Sequence, residues 1–331
     1  MARGRKTRGR ALHGVLLVDK PAGASSNRVL QQVRRSLDAR KAGHAGTLDP
    51  LATGMLPVLL GEATKLAGYL IDADKAYETT LKLGVETDSL DADGEVTRRR
   101  AVPQGLDVAR VDAIAEAFRG AQRQVPPMVS AIKVDGQRLY QAARQGLEIE
   151  RRARDITIHE LRVLEVSGDT LRLAVRCSKG TYIRVLGAEL GERLGCGAHV
   201  QALRRTWVAP FESSAMHTPE AIAEAGDACL LPPDAGLAHL PRVAVDETGL
   251  AALRRGQGAP VLPGSVSPPL PGPASPASGA VAARPDPMPT WRVYGPDGAL
   301  VALGALRADG IVMPSRVLQL DPNGGGPDRP A

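Results

Sequence analysis

At 331 residues, 43% of them apolar, the chain can bury a substantial core, and its length makes two domains the natural expectation. Three widely spaced cysteines, Cys177, Cys196 and Cys229, show neither the CxxC or Cys/His spacing of a zinc site nor a disulfide framework, which fits a reducing cytoplasm. No apolar run approaches the roughly 18 to 20 residues that span a bilayer, and the N-terminus has no signal-peptide core, so a soluble cytoplasmic protein is expected.

The formal net charge is +6, of which Arg3, Arg5, Lys6, Arg8 and Arg10 supply +5, leaving +1 for the rest of the chain. Residues 1–12 therefore read as a disordered basic arm suited to a polyanion, since phosphate contacts release condensed counterions. HGVLLVDKPAGASSNRVLQQVRRSL then predicts a strand over Val15–Val18, a turn at Asp19–Gly23 that carries Lys20, and a helix capped by Ser25 or Ser26. Val29, Leu30, Val33 and Leu37 share one face of that helix.

The next stretch, GHAGTLDPLATG from Gly43 to Gly54, sets one carboxylate, Asp49, among small residues and turn formers. Such a backbone takes tight turns and lets a ligand come close, and Pro50 biases Asp49 toward extended angles. An apolar segment and a helix through Leu70 lead to a strand in which Tyr77, Thr79, Leu81 and Leu83 alternate onto one face. Aromatics make up only 3% of the chain, so a tyrosine heading that face is a scarce residue.

DSLDADGEV, Asp88 to Val96, crowds acids around a turn but lacks the far-end acidic ligand of an EF-hand; it predicts a solvated hairpin turn and no metal. An amphipathic helix follows, with Val111, Ile114, Ala115 and Phe118 on one face, Asp107 near its start and Gly120 beyond its end. Residues from about 124 to 154 form a Pro-flanked segment with a turn at Asp135-Gly136. Lys133, Arg138, Arg144, Arg151, Arg152 and Arg154 make it the most basic part outside the arm, which suits an RNA-gripping insertion.

Leu171, Leu173, Val175 and Cys177 alternate as a half-buried strand, and SKGTYIR turns into a helix carrying Ile183, Leu186, Leu190 and Leu194. Arg184 falls in its first turn, where a cation is slightly disfavoured and an anionic partner is implied. HVQALRRTWVAPF sets Leu203 beside two arginines. From Pro241 to Leu318 short alternating strands and turns at Pro296–Gly298 and Asp309–Gly310 predict a small β domain. It is interrupted over about 260–289 by a Pro, Gly, Ser and Ala tract that cannot form a core, and 321–331 reads as a disordered tail.

GVLLVDKPAGASSN, AGHAGTLDPLATGMLPV, KAYETTLKLG, SAIKVDGQRLYQAARQG, CSKGTYIR and LGCGAHVQALRR, in this order, resemble the motifs of bacterial tRNA pseudouridine-55 synthases across nearly the whole chain. The resemblance implies an α+β pseudouridine synthase fold over 13–238, with a central mixed, mostly antiparallel sheet, and a PUA-like RNA-binding β-barrel domain over 239–320. It implies Asp49 as the catalytic aspartate, Tyr77 as the ring that stacks on the target base, and Arg184 as the ion-pair partner of Asp49. Leu203 becomes an apolar pocket wall, and His44 the group that fills the gap left by a flipped nucleotide. Lys20 with Pro21 belongs to a motif supporting the active-site loop, and Lys20, Lys133, Tyr182 and Arg204 join the substrate-binding set. The implied substrate is the T-arm of tRNA, met by a monomer without cofactor, metal or obligatory protein partner. One departure is Val129, where the family commonly has tyrosine. An RNA-binding or RNA-folding module that keeps the pocket without turning over is the competing class.

Overall fold

The computed structural model describes residues 9–128, 149–211, 216–269 and 289–320, together with the backbone of 133–134 and 137–138. Its first strand, β1 (Gly14–Lys20), is followed by α1 (Ser26–Ser36), β2 (Ala42–His44) and β3 (Thr53–Leu60). A 3-10 turn at Gly61–Leu66 and α2 (Ala67–Ile71) lead to β4 (Lys75–Leu83), β5 (Val85–Thr87), β6 (Val96–Arg99), α3 (Val108–Ala115) and β7 (Gly120–Gln124). The two-residue strands β8 (Lys133–Val134) and β9 (Gln137–Arg138) pair antiparallel, and the turn expected at Asp135-Gly136 lies outside the described residues. The remaining elements of the larger unit are β10 (Arg154–Ser167), β11 (Thr170–Cys177), α4 (Ile183–Arg193), β12 (Ala198–Val208) and α5 (Pro219–Ala225).

The central sheet runs β1-β3-β12-β4-β11-β10-β7, with β2 paired to β3 off this path. Every pairing is antiparallel except β3 with β12, where Thr53 and Gly54 meet Arg204 and Arg205 in parallel register. Strands β4 and β11 show the predicted alternation: Tyr77, Thr79, Leu81 and Leu83 are buried, as are Leu171, Leu173, Val175 and Cys177. They pack under α1, α3 and α4, whose apolar stripes include Val29, Val33, Val111, Leu186 and Leu190. Ser25 caps α1 by accepting from the Arg28 amide, satisfying one otherwise orphaned donor.

Strand β1 does not alternate, because both its faces are covered. Leu16 and Val18 enter the main core, whereas Val15 and Leu17 enter a second one with Met55, Leu59, Leu66 and Leu70. That second core is completed by Tyr294, Leu300, Leu303 and Leu318 from a five-stranded sheet at the C-terminal end. Its strands are β13 (Arg242–Ala244), β14 (Ala259–Pro260), β15 (Thr290–Tyr294), β16 (Leu300–Leu306) and β17 (Ile311–Val317), with α6 (Glu247–Arg254) packed beside them. Burying each such leucine is worth about 1.5 to 3 kcal/mol. The small sheet is thus held to the larger one by apolar burial on the back of β1 and β3.

Two boundaries differ from the sequence expectation. The basic arm was expected to run through residue 12, yet Arg10 forms an ion pair with Asp227 and a bridge to Ala39, and Leu12 is 3% exposed. Burial of Leu12 and the ion pair tie down what charge and glycine content alone suggested was free; residues 1–8 of the arm lie outside the described residues. The low-complexity tract was expected to be disordered from about 260, but Leu262 donates its amide to Ala244 and Ser267 pairs with Arg242. Backbone pairing, which needs no apolar side chain, orders this stretch as far as Pro269; residues 270–288 and 321–331 lie outside the described residues.

Gly54 joins the fold to the site. It has φ +95, and a Cβ there would stand 2.2 Å from the backbone oxygen of Arg205 on the parallel neighbour. Gly54→Ala is expected to lower stability by more than about 3 kcal/mol, read as the shift in urea midpoint, because neither backbone can yield.

Candidate active site

The loop between β2 and β3 is held from beneath by the turn between β1 and α1. The Ser26 hydroxyl donates to the Leu48 carbonyl at 2.9 Å and accepts from the Leu48 amide at 2.8 Å. Gly23 donates its amide to the Pro50 carbonyl at 2.8 Å, and Lys20 Nζ donates to the same carbonyl at 3.2 Å and to that of Pro21 at 2.8 Å. Lys20 is 0% exposed. It was expected among the substrate-binding residues and within a motif that supports the loop; here the buried ammonium, bonded to two carbonyls, braces the loop from below. Burial pushes its pKa down to about 8, with the Asp49 carboxylate opposing that shift.

Asp49 stands at the crest of this loop with 36% of its side chain exposed, against a guanidinium that is 3% exposed. Arg184 Nε lies 3.0 Å from Asp49 Oδ2; its Nη1 lies 3.5 Å from Asp91 Oδ2 and donates to the Ser89 carbonyl at 2.7 Å. The position of Arg184 follows from its neighbours in sequence. Gln124 on β7 accepts from the Tyr182 amide at 2.8 Å and donates to the Tyr182 carbonyl at 3.1 Å, fixing the backbone where α4 begins. Tyr182 is thereby a half-buried helix boundary.

The turn carrying Asp91 was expected to be a solvated hairpin; β5 and β6 do pair across it and Asp88, Asp93 and Glu95 are exposed, but Ser89 and Asp91 are buried. Asp91 is 4% exposed, and the turn docks on β12 through Ala92 donating to the Val200 carbonyl and Val200 to that of Leu90. The reason is non-local: Leu90 takes φ +64, which turns the chain so that Asp91 points inward to Arg184. One guanidinium thus bridges two carboxylates, one accessible and one buried.

These neighbours set the ionisation of Asp49. Burial raises its pKa, Arg184 opposes the rise, Asp91 adds to it, and Lys20 opposes it more weakly. The ionised form is then available only above that raised value. Any reaction using the carboxylate should therefore rise with pH along an acid limb displaced upward from the ordinary value of 3.8, and a rate-versus-pH profile at saturating substrate reads it.

Tyr77 lies 8% exposed on the central strand, its phenol pushed up to about 12 by burial, so it stays protonated at neutral pH. Leu203, 7% exposed, sits on the neighbouring strand opposite Thr79. Leu203 and Thr79, with Gly23, Leu51 and Thr53, line a cleft of about 530 Å³ beside the loop, and Tyr77 precedes Thr79 on the same buried face of β4. Arg204 reaches the same cleft but is engaged by Asp19 in a two-bond contact at 3.0 and 2.8 Å. His44 on β2 is held neutral by burial and by Arg205, which lower its pKa. Beneath it, Arg205 is 1% exposed and donates to the carbonyls of Met55 and Gly46. The side chain of Lys133, and Val129, lie outside the described residues.

Among the described residues no trio of His, Cys, Asp or Glu is placed to hold a metal ion, and no helix is long and apolar enough to cross a membrane. Compared with known proteins, residues 34–183 match the family model described as TruB family pseudouridylate synthase (N terminal domain). Residues 184–238 match that of the tRNA pseudouridylate synthase B C-terminal domain. A protein of Xanthomonas euvesicatoria named tRNA pseudouridine synthase B is 46% identical, covering 93% of this chain and 94% of its own. The chain belongs to the TruB family of pseudouridylate synthases. A similarly named protein of Chromohalobacter salexigens is 50% identical over 78% of this chain and 85% of its own.

The TruB chain also shares its fold with a chain in the crystal structure of a Cbf5-Nop10-Gar1 complex. That likeness has a TM-score of 0.65 and 26% identity, covering 93% of this chain and 85% of the other. The mixed sheet described above is therefore the pseudouridine synthase fold. Sequence reasoning missed Asp91, Arg205 and Gln124. Strand parity was the available signal for Arg205, since it shares a face of β12 with the inward Leu203.

Proposed function

We propose that this TruB-family chain converts the uridine at position 55, in the T-loop of tRNA, to pseudouridine. The observation that carries the reading is the accessible Asp49 carboxylate set 3.0 Å from the buried Arg184, in a loop of small residues beside a cleft. The reaction breaks the bond between uracil N1 and ribose C1′, turns the base within the pocket, and joins C5 to C1′. The C5 proton is then lost and N1 regains one. Attack of Asp49 at the sugar, attack at the base and removal of a ribose proton all use this same carboxylate, ionised and aimed by the fixed guanidinium fork.

The target base must leave its stack, at a cost of a few kcal/mol, and stacking on Tyr77 returns about 1 to 3 kcal/mol. His44 fills the vacated space, and Leu203 forms the apolar wall that keeps water from the base. A protonated Tyr77 suits both stacking and relay of the C5 proton. No cofactor or metal takes part. The C-terminal sheet is read as a PUA-like RNA-binding module, and the insertion around β8 and β9, with Lys133, Arg151 and Arg154, as a grip on the T-arm. The enzyme acts as a monomer in the cytoplasm.

Release of tritium from a tRNA transcript labelled at uridine C5 tests this directly. One tritium per tRNA is expected, and none when the T-loop uridine is replaced by cytidine. Continued release from the replaced transcript would move the site elsewhere, and no release from any tRNA would leave only a binding module.

A further inference from the structure

Arg205 is a buried charge that the isomerisation described above does not use. Its guanidinium is 1% exposed, and its partners among the described residues are not carboxylates. Nε donates to the Met55 carbonyl at 2.7 Å, and Nη2 to the Gly46 carbonyl at 3.0 Å. The same group stands beside the Tyr77 phenol, with a hydrogen-bonding contact and a charge that both favour the ionised form of the ring oxygen. Removing a guanidinium from water costs several kcal/mol, and carbonyl partners recover only part of it. An apolar side chain would fill the same space more cheaply, so what the guanidinium does in this position is tie three pieces together.

Those pieces are the ones the reaction needs in fixed relation. Gly46 belongs to the loop that ends at Asp49, Met55 to the strand that follows it, and Tyr77 to the central strand on the other side of β12. Ser26 and Lys20 brace the loop from the α1 side, and Arg205 is the brace that faces the stacking ring. A rigid planar fork holds two carbonyls and a phenol in one fixed relation, whereas a rotatable ammonium on a flexible stem fixes their directions less. The charge also reaches the ring of His44, whose pKa it lowers.

We propose that Arg205 is a positioning residue for the isomerisation, locking the loop that carries Asp49 to the Tyr77 ring so that carboxylate and stacked base keep one register. The proposal rests on the pseudouridine synthase reading. It puts the action of Arg205 in the chemical step and not in capture of the RNA, because a displacement of about 1 Å in a reacting pair costs roughly 100-fold in rate.

The test uses the full-length protein with Arg205→Gln and Arg205→Lys, alone and combined with Tyr77→Phe. Single-turnover tritium release and tRNA filter binding are measured for each, with melting curves to follow the fold. Arg205→Gln is expected to slow the single-turnover step about 100-fold while tRNA Kd stays within about threefold, and Arg205→Lys to recover about tenfold of that loss. In the Tyr77→Phe background the loss from Arg205→Gln should shrink to less than about tenfold, because contacting residues are not additive. A wild-type rate in Arg205→Gln overturns the proposal, as does a loss of equal factor with and without the phenolic oxygen. If Arg205→Gln does not fold, the same comparison made with Arg205→Lys decides. No release by the wild-type protein defeats the synthase reading itself, and that result is distinct from all of these.

Discussion

Asp49→Asn is expected to abolish isomerisation, by at least about 10⁴-fold in single-turnover tritium release, while tRNA affinity changes less than about threefold. The amide keeps the size of the carboxylate but provides neither a nucleophile nor a base at any accessible pH. The loop does not depend on the carboxylate for its shape, since Leu48, Pro50 and Asp49 are held through backbone groups by Ser26, Gly23, Lys20 and Ala52. Arg184 retains Asp91 and the Ser89 carbonyl. Stability should not fall either. The folded-state pKa of Asp49 lies above its ordinary value, so ionising this carboxyl costs stability as pH rises through the unfolded value. At neutral pH the neutral amide is then at least as stable as wild type, and a melting curve checks it. A loss of RNA affinity in step with the rate would mean that Asp49 serves to bind, and the role assigned to it would fall.

The parts of this site that were legible in the sequence are those written in local pattern. Asp49 sits in a run of small residues and turn formers that lets a ligand come close, Tyr77 begins a strict alternation, and Arg184 occupies a helix start where a cation is out of place. Asp91 was illegible for a physical reason. An acid-rich turn has the same sequence whether water or an arginine faces it, and what buries this one is its docking on β12, more than a hundred residues further along the chain. The burial of Lys20 was likewise not written locally, since it arises only when the loop from Leu48 to Pro50 closes over the turn between β1 and α1. The central sheet, β1 over Val15–Val18 included, was readable from periodicity and resemblance, but the covering of β1 and β3 on both faces was not. Their all-apolar runs become explicable only once the small sheet packs on their second face.

Arg184→Gln and Asp91→Asn should displace the acid limb of the rate profile in opposite directions. Arg184 is the strongest influence holding the pKa of Asp49 down against burial, whereas Asp91 pushes it up. Without the guanidinium the carboxyl protonates more readily, so the limb moves to higher pH; without the Asp91 charge it moves to lower pH. The plateau rates should not follow the same opposition. Arg184→Gln removes both the charge partner and the fork that aims the carboxylate, and about a 1,000-fold loss is expected above the limb. It also leaves Asp91, 6% exposed at its side chain, as a buried charge without its cation, which costs about 3 to 5 kcal/mol of stability. Asp91→Asn keeps Arg184 bonded to Asp49 and to the Ser89 carbonyl and removes one tether, so its plateau should fall only about 10- to 100-fold. A shift of both limbs in the same direction would show that the two carboxylates are not coupled through one arginine, and that Asp91 acts only by shaping the turn.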